Sequence, residues 1–191
     1  SIFGALAVYA LTVVTGLLLL MFAFYPTLVH LFSRIKVRHF IKSMYPVQLL
    51  AFSTSSSAAT LPVTLETAER DLKISNEVSS FVLPVGTTIN MDGTSCYQAI
   101  AVVFIAQVMG IELGLTEILS IVFLTTISSI GTPAIPGGSY VILTMVLSSV
   151  GIPAEGLALI LGIDRPLDMI RTSVNVTGDA TVAAIIDKTN N

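Results

Sequence analysis

Five polar side chains near the C-terminus recur at helical spacing. They are Asp164, Asp168, Arg171, Asn175 and Asp179, separated by four, three, four and four residues. At about 100° per residue they fall within an arc of roughly 80°, so a single helix would present them as one polar stripe. Charged groups in a strongly apolar chain are rare and nearly always face a bundle interior, a pore or a partner. The stripe therefore predicts a polar site inside the molecule.

Two groups of the stripe suit opposite charges on one ligand. Arg171 offers a planar fork of donors that matches a carboxylate, and Asp168, about one turn away, can accept a hydrogen bond from an ammonium group. A separated cationic and anionic site fits an amino acid with a second carboxylate. The alternative is an ion-pair ladder of Asp168 with Arg171 that only holds helices together. That alternative leaves Asn175 and Asp179 unexplained.

The composition indicates a membrane environment. Of the 191 residues, 53% are hydrophobic and 11% are charged, and the charged fraction is about half that of an ordinary soluble domain. The single cysteine, Cys96, excludes an internal disulfide framework and a Cys-rich metal site. We therefore predict an all-α polytopic membrane protein that contacts the lipid bilayer and has no nucleic-acid partner.

Five membrane elements are predicted to position the polar groups. In order they are a transmembrane helix (1–32), a re-entrant hairpin (37–72), a broken transmembrane helix (75–109), a second re-entrant hairpin (115–152) and a last transmembrane helix (155–188). The hairpins are predicted from pairs of apolar arms around polar tips, and the arm Met44–Phe52 is too short to span. Irregular backbone at membrane depth is stable only where protein or a water-filled cavity satisfies it.

The two halves of this path resemble each other. A hairpin precedes Asn90–Gly93, and a hairpin precedes Asn175–Asp179. The basic cluster after the first helix predicts a cytoplasmic loop, whereas the loops 110–116 and 151–156 contain no Lys or Arg. Together these features predict an inverted repeat with a binding site near the membrane midplane, as in secondary transporters.

The interrupted run from Val78 to Met109 offers a different chemistry. Pro84 and the polar residues from Gly86 to Asp92 predict unwound backbone with exposed carbonyl groups. The side-chain oxygens near this break belong to Asn90, Asp92, Asn175 and Asp179. Oxygen ligands without His or Cys suit a hard cation, and the small number of carboxylates favours Na⁺ over Ca²⁺ or Mg²⁺. The alternative is that Asn-Met-Asp-Gly forms an ordinary loop turn.

Four motifs carry a resemblance to a known family. They are Ser55–Ser57 with Thr60–Pro62, Asn90–Thr94, Ser129–Thr132 with Ile135–Gly137, and Asp168–Thr172 followed by Asn175–Asp179. With these motifs in this order, essentially the whole chain resembles the dicarboxylate/amino acid:cation symporter family. The resemblance implies a partial transport domain of the glutamate transporter fold, without its N-terminal scaffold helices. It also implies a homotrimeric full-length protein in the plasma or inner membrane.

The resemblance further implies roles for individual residues. The implied substrate contacts are Ser55, Ser57, Thr94, Ile135, Ser139, Asp168, Arg171, Thr172 and Asn175. Asp168 would bind the amino group, Arg171 the side-chain carboxylate and Asn175 the main-chain carboxylate. The implied sodium contacts are Gly86, Asn90, Asn175 and Asp179 for one ion, Thr88, Ser129, Ile130 and Thr132 for a second, and Asn90 with Asp92 for a third.

The chain also departs from the family pattern. Archaeal members place an arginine where this chain has Ser55, and animal members place one where it has Met169. Neither arginine is present at these positions, so the second positive charge at the site is absent or supplied differently.

The predicted function is sodium-coupled symport of an acidic amino acid, aspartate or glutamate, by alternating access, with no catalytic residues and no organic cofactor. A C4-dicarboxylate would leave Asp168 without an ammonium partner, and a neutral amino acid would leave Arg171 without a carboxylate. Outside this class, an intramembrane enzyme could use Asp164 and Asp168 as paired acids, but no nucleophile and base accompany them. An ion channel is a further alternative that uphill uptake would exclude.

Overall fold

The protein is helical throughout the part of the chain that the computed structural model describes, residues 2–190. The helices are α1 (Ile2–Leu19), α2 (Tyr25–Phe32), α3 (Val37–Thr54), α4 (Ser57–Arg70), α5 (Asn76–Ile89), α6 (Asp92–Val108), α7 (Leu115–Ser129), α8 (Ser139–Ser149) and α9 (Leu161–Asn190). No strand occurs within these residues. The all-helical fold class is therefore confirmed, whereas the re-entrant path and the inverted repeat stay predictions.

The first two helices form one continuous rod through a π-helical segment, Leu20–Phe24. Pro26 is the second residue after this segment and lacks the N–H that an α-helical bond would use. The wider turn relieves the resulting mismatch in the hydrogen-bond ladder. Over Phe3–Phe32 the rod is long and apolar enough to cross a membrane, and within the described residues it alone meets that test of length and composition.

The two predicted hairpins are pairs of helices with polar tips. Helices α3 and α4 pack together across a two-residue tip, where Ser55 adopts a left-handed conformation with φ 51°. Helices α7 and α8 pack together across the longer tip of residues 130–138. Helices α3 and α4 together extend from Val37 to Arg70, within the predicted bounds 37–72 of the first hairpin. Pro46 lies inside α3 without ending it.

The predicted break in the third element is present but narrower than expected. Helix α5 continues past Pro84 to Ile89, and only Asn90 and Met91 are non-helical before α6 begins. The carbonyl of Gly86 accepts a helical hydrogen bond from the N–H of Asn90 at 2.7 Å. The prediction of unwound backbone from Gly86 onward was therefore wrong, because a proline in the helix does not remove the bonds that follow it.

The most polar long helix, α9, lies at the centre of the molecule. It contacts each of the helices from α1 to α6, and almost every residue from Arg171 to Thr181 is buried. A short 3-10 helix, Ala154–Leu159, precedes it, so the predicted start at residue 155 falls in this segment. Two apolar clusters flank α9. One includes Leu17, Leu143 and Leu147 and the other includes Met44 and Leu83.

Truncation of a buried leucine and of an exposed leucine should distinguish residues of the core from residues of the surface. Leu147 on α8 is fully buried, whereas Leu119 on α7 is 60% exposed. Leu147→Ala should lower the free energy of unfolding by about 2–5 kcal/mol because it leaves a cavity. Leu119→Ala removes the same atoms from the surface and should change the free energy of unfolding little. Thermal unfolding of the purified full-length protein in detergent measures both, and equal losses would contradict this assignment of the core.

Candidate substrate and ion site

Arg171 lies inside the bundle and is held on several sides. Its Nη2 donates to Asp168 Oδ1 at 2.6 Å and to Ser139 Oγ at 3.1 Å. Its guanidinium carbon lies 4.0 Å from the centre of the Tyr97 ring, a cation–π contact. Thus α6, α8 and α9 each contribute a group to one buried cation.

One side of the guanidinium fork is not saturated. Nη1 of Arg171 lies 3.6 Å from Oδ1 of Asp164, which is an ion pair but too long for a hydrogen bond. Both atoms are buried and neither has a hydrogen-bond partner among the described residues. Unpaired buried donors are rare because they cost about 1–3 kcal/mol each. The fork therefore has a donor available for an anion.

The predicted substrate residues surround one small cavity. Eight of the nine line it, namely Ser55, Ser57, Thr94, Ile135, Ser139, Asp168, Thr172 and Asn175. The ninth, Arg171, contacts two of these residues, Asp168 and Ser139. The cavity has a volume of only about 20 Å³, which is room for about one water molecule. An amino acid could enter only after the surrounding elements separate.

Hydrogen bonds from the second hairpin close this cavity. Ser56 of the first tip donates to the carbonyl of Ala134 at 2.8 Å, which joins the two tips. The N–H of Gly137 donates to Asp168 Oδ2 at 3.2 Å. Ser56 also caps α4 by accepting from the N–H of Ala59. These two hydrogen bonds join the second tip to the first tip and to α9, so they would have to break for the second tip to move away from either.

Asn175 connects α9 to the start of α6 beside the break. Its Oδ1 accepts from the N–H of Gly93 at 2.9 Å, and its Nδ2 donates to Thr94 Oγ1 at 3.2 Å. A side chain at Gly93 would place its Cβ 2.9 Å from the carbonyl oxygen of Arg171. Only glycine therefore allows the two helices to approach this closely.

The first predicted ion group is largely brought together. Asn90 Nδ2 donates to Asp179 Oδ1 at 2.9 Å, and a Cβ at Gly86 would lie 2.8 Å from the same oxygen. Asn175 lies one turn before Asp179 on α9 and has its oxygen engaged by Gly93. Asp179 is 2% exposed and is in no ion pair with a described residue. A buried carboxylate with only an amide partner favours a cation nearby.

Asp92 faces a separate and larger cleft between α1, α2, α6 and α7. The cleft has a volume of about 970 Å³, and four predicted ion-binding residues line it: Asn90, Asp92, Ser129 and Ile130. Oδ2 of Asp92 accepts a hydrogen bond from the Tyr25 hydroxyl at 3.0 Å. Asn90 and Asp92 therefore lie beside a common space, as the prediction of a shared ion requires.

Three members of the second predicted ion group lie together at the end of α7. The N–H of Thr132 donates to the carbonyl of Ser129 at 3.0 Å, and Ile130 lies between them. Ser129 and Ile130 line the large cleft, whereas Thr132 lines the small cavity. Thr88 on α5 is exposed and lines neither space, so its place in this group stays a prediction.

Three tyrosines and one arginine at the site were not predicted. Tyr25 and Tyr97 lie in apolar runs, where an aromatic residue is indistinguishable by pattern from core. Tyr140 donates to Asp164 Oδ2 at 2.7 Å. The side chain of Arg165 is 57% exposed, but its Nη1 lies 3.6 Å from Asp168 Oδ2. The sequence signal for this contact was the position of Arg165 three residues before Asp168, because residues three apart are neighbours on a helix surface.

The chain is similar in sequence to known proteins. The model of the sodium:dicarboxylate symporter family matches residues 1–189. The chain is 46% identical over 182 residues to a Caenorhabditis elegans protein whose name describes a sodium-dependent excitatory amino acid transporter, covering 95% of this chain and 34% of that protein. It is 43% identical over 188 residues to human excitatory amino acid transporter 3, covering 98% of this chain and 36% of that protein. The chain thus spans about a third of these relatives.

A methyl group at the α6–α9 contact should disturb the site. Gly93→Ala would press against the Arg171 carbonyl and Asn175, and we expect a loss of about 1–3 kcal/mol in stability from overpacking. Gly162→Ala is the matched control, because no atom lies within 4 Å of its added Cβ. Thermal unfolding of the full-length variants gives the comparison. A Gly93 variant as stable as the Gly162 variant would contradict the close approach.

Proposed function

Because the chain belongs to the sodium:dicarboxylate symporter family, we propose that the full-length protein carries an acidic amino acid, aspartate or glutamate, across a membrane together with Na⁺. The observation that supports this most directly is the buried guanidinium of Arg171, which contacts Asp168 and Ser139 in the lining of a hydroxyl-rich cavity. The names of the relatives, excitatory amino acid transporters, agree with this substrate class.

The proposed binding step exchanges partners at Arg171. Its fork is paired with Asp168 at 2.6 Å. The side-chain carboxylate of the substrate would bind Arg171 in place of Asp168, as two parallel N–H···O bonds. Asp168 would then accept the substrate ammonium group. The ion pair of Arg171 with Asp168 would keep both charges satisfied until the ligand replaces it.

The main-chain carboxylate would bind near the hairpin tips. Ser55, Ser57 and Thr94 supply hydroxyl groups around the cavity, and Asn175 supplies an amide. The Ser55 hydroxyl is buried and has no hydrogen-bond partner among the described residues. A charged ligand oxygen would satisfy this donor, so the second anionic group has a place separate from Arg171.

Coupling to Na⁺ follows from the charge balance of the interior. Asp164, Asp168 and Asp179 are all buried, whereas Arg171 is the one buried basic side chain of the described residues. An acidic amino acid would add a further net negative charge to this region. Buried excess charge is costly unless a counter-ion accompanies it. Na⁺ bound near Asp179 and Asp92 would supply that charge, so ion and substrate would stabilise the same state.

Alternating access would require the second hairpin to open. We propose that both hairpins are re-entrant and that the tip of residues 130–138 is the outer gate, because it covers the cavity through the Ser56–Ala134 and Gly137–Asp168 bonds. The full-length protein would be a multi-pass homotrimer of the plasma or inner membrane. Asn175 contacts both the break and the substrate cavity, so it would link the ion sites to the gate.

Removal of the guanidinium should abolish recognition of the substrate. Arg171→Ala in full-length protein reconstituted into vesicles should lower Na⁺-driven uptake of radiolabelled aspartate by at least about 10- to 100-fold, because a charged hydrogen bond contributes about 1.5–3 kcal/mol. Arg70→Ala is the control, since it removes an exposed arginine that is also paired with acids. It should leave uptake unchanged.

Competition by unlabelled compounds decides the substrate class in the same assay. Aspartate or glutamate should compete strongly in the wild-type protein, and succinate and alanine weakly. Equal competition by succinate would favour a C4-dicarboxylate carrier and contradict a role of Asp168 in binding ammonium. Uptake that does not depend on a Na⁺ gradient would contradict the proposed coupling, and formation of a new labelled product would favour an enzyme.

Neutralising Asp179 should weaken Na⁺ rather than substrate recognition. Asp179→Asn keeps the size of the side chain but removes the carboxylate next to Asn90, so the Na⁺ concentration for half-maximal uptake should rise by about tenfold or more. Asp71→Asn is the control, because it removes a partly exposed carboxylate in the α4–α5 turn. Uptake of aspartate is measured against Na⁺ concentration for each. An unchanged Na⁺ dependence in Asp179→Asn would exclude this residue as an ion ligand.

A further inference from the structure

A basic cleft lies at one end of the bundle, away from the substrate cavity. It has a volume of about 460 Å³ and lies between the α2–α3 turn, the α4–α5 turn and the last turns of α9. Five of its lining side chains are basic: Arg34, Lys36, His39, Lys73 and Lys188. Its size is within the range of ordinary ligand pockets. A cleft with this lining favours an anionic ligand.

Basic side chains outnumber acidic ones in the lining of the cleft. None of Arg34, Lys36, Lys73 and Lys188 forms an ion pair with a described residue. The one acidic side chain in the lining, Asp187, accepts a hydrogen bond from the N–H of Ser75 at 2.9 Å. Four lysine and arginine side chains against one carboxylate leave the lining with a net positive charge, which an anion would stabilise.

The backbone around the cleft is held in a defined shape. His39 donates from Nε2 to the carbonyl of Asp71 at 2.8 Å, which connects α3 to the α4–α5 turn. Lys73 adopts the left-handed region with φ 59°, a conformation that a non-glycine residue rarely takes. Such strain indicates that the surrounding structure fixes this lysine in place. The positive groups are therefore presented by a preformed site.

The position of the cleft relates it to the membrane surface. Arg34 follows two residues after the end of α2, the helix that completes the apolar rod Phe3–Phe32. Leu31 and Phe32, directly before the cleft, are more than half exposed. Exposed apolar side chains thus adjoin exposed basic side chains at this end of the rod. Basic pockets at this level of a membrane protein suit phosphate-bearing headgroups.

We propose that this cleft binds the headgroup of an anionic phospholipid. The phosphate would contact Lys36 and Lys73, and the acyl chains would lie against Leu31 and Phe32 outside the cleft. The proposal concerns a surface separate from the substrate and ion groups, so it does not depend on the transport function.

Native mass spectrometry of the full-length protein, purified from vesicles of phosphatidylcholine and phosphatidylserine, tests the proposal. The double variant Lys36→Gln/Lys73→Gln should retain phosphatidylserine about 25-fold less tightly, since each basic side chain contributes about fivefold near a membrane surface. The control is Arg38→Gln/Lys42→Gln, which removes the same charge from residues of α3 that do not line the cleft. It should retain the lipid as the wild type does.

Three outcomes would overturn the proposal. Equal loss of phosphatidylserine in both double variants would indicate general attraction to the basic surface. Equal retention in the wild type and in Lys36→Gln/Lys73→Gln would exclude the cleft as a lipid site. Displacement of the lipid by inorganic phosphate at similar concentrations would assign the cleft to a soluble anion. Thermal unfolding of each variant, expected to match the wild type because Lys36 and Lys73 are exposed, verifies that folding is intact.

Discussion

A guanidinium that water cannot reach has to be satisfied by the protein, and this constraint organises the interior. Arg171 draws Asp164 and Asp168 from its own helix, Ser139 from α8 and the ring of Tyr97 from α6. Removal of one partner of such a group costs about 3–5 kcal/mol, because an uncompensated charge remains. The start of α8 is thus tied to α9 by the same charge that, in the proposed function, would bind a substrate carboxylate.

The contact between α6 and α9 extends this arrangement toward the ion groups. Gly93 allows the backbone of α6 to approach α9, and that approach brings Asn175 within hydrogen-bond distance of the helix start. One turn further along α9, Asp179 meets Asn90 at the other end of the break. The break of Asn90 and Met91 therefore has a polar side chain of α9 at each end. Asp179 contacts Asn90, and Asn175 contacts Gly93. Substrate and ion groups therefore share a continuous polar face.

Charge is distributed unequally along the bundle. The interior holds more buried carboxylates than buried basic groups, whereas the cleft beside α2 gathers basic side chains with few acidic ones. Both arrangements depend on their surroundings. An anionic interior is stable with bound cations, and a cationic rim is stable where anionic headgroups approach it. The two polar regions are thus complementary to the ions and lipids of a membrane environment.

The sequence by itself determined the features that depend on local periodicity. The spacing from Asp164 to Asp179 defines the polar stripe, the long apolar runs define the helical class, and the polar insertion near Asn90 marks a break. The tertiary structure decided the extent of that break, the approach of Tyr25 to Asp92 across 67 positions in the chain, and the enclosure of one small cavity by residues of both hairpin tips, α6 and α9. Helical spacing is set by bonds between near neighbours in the chain, and a sequence displays it directly. Contacts between distant segments depend instead on how whole helices pack, which no local pattern records.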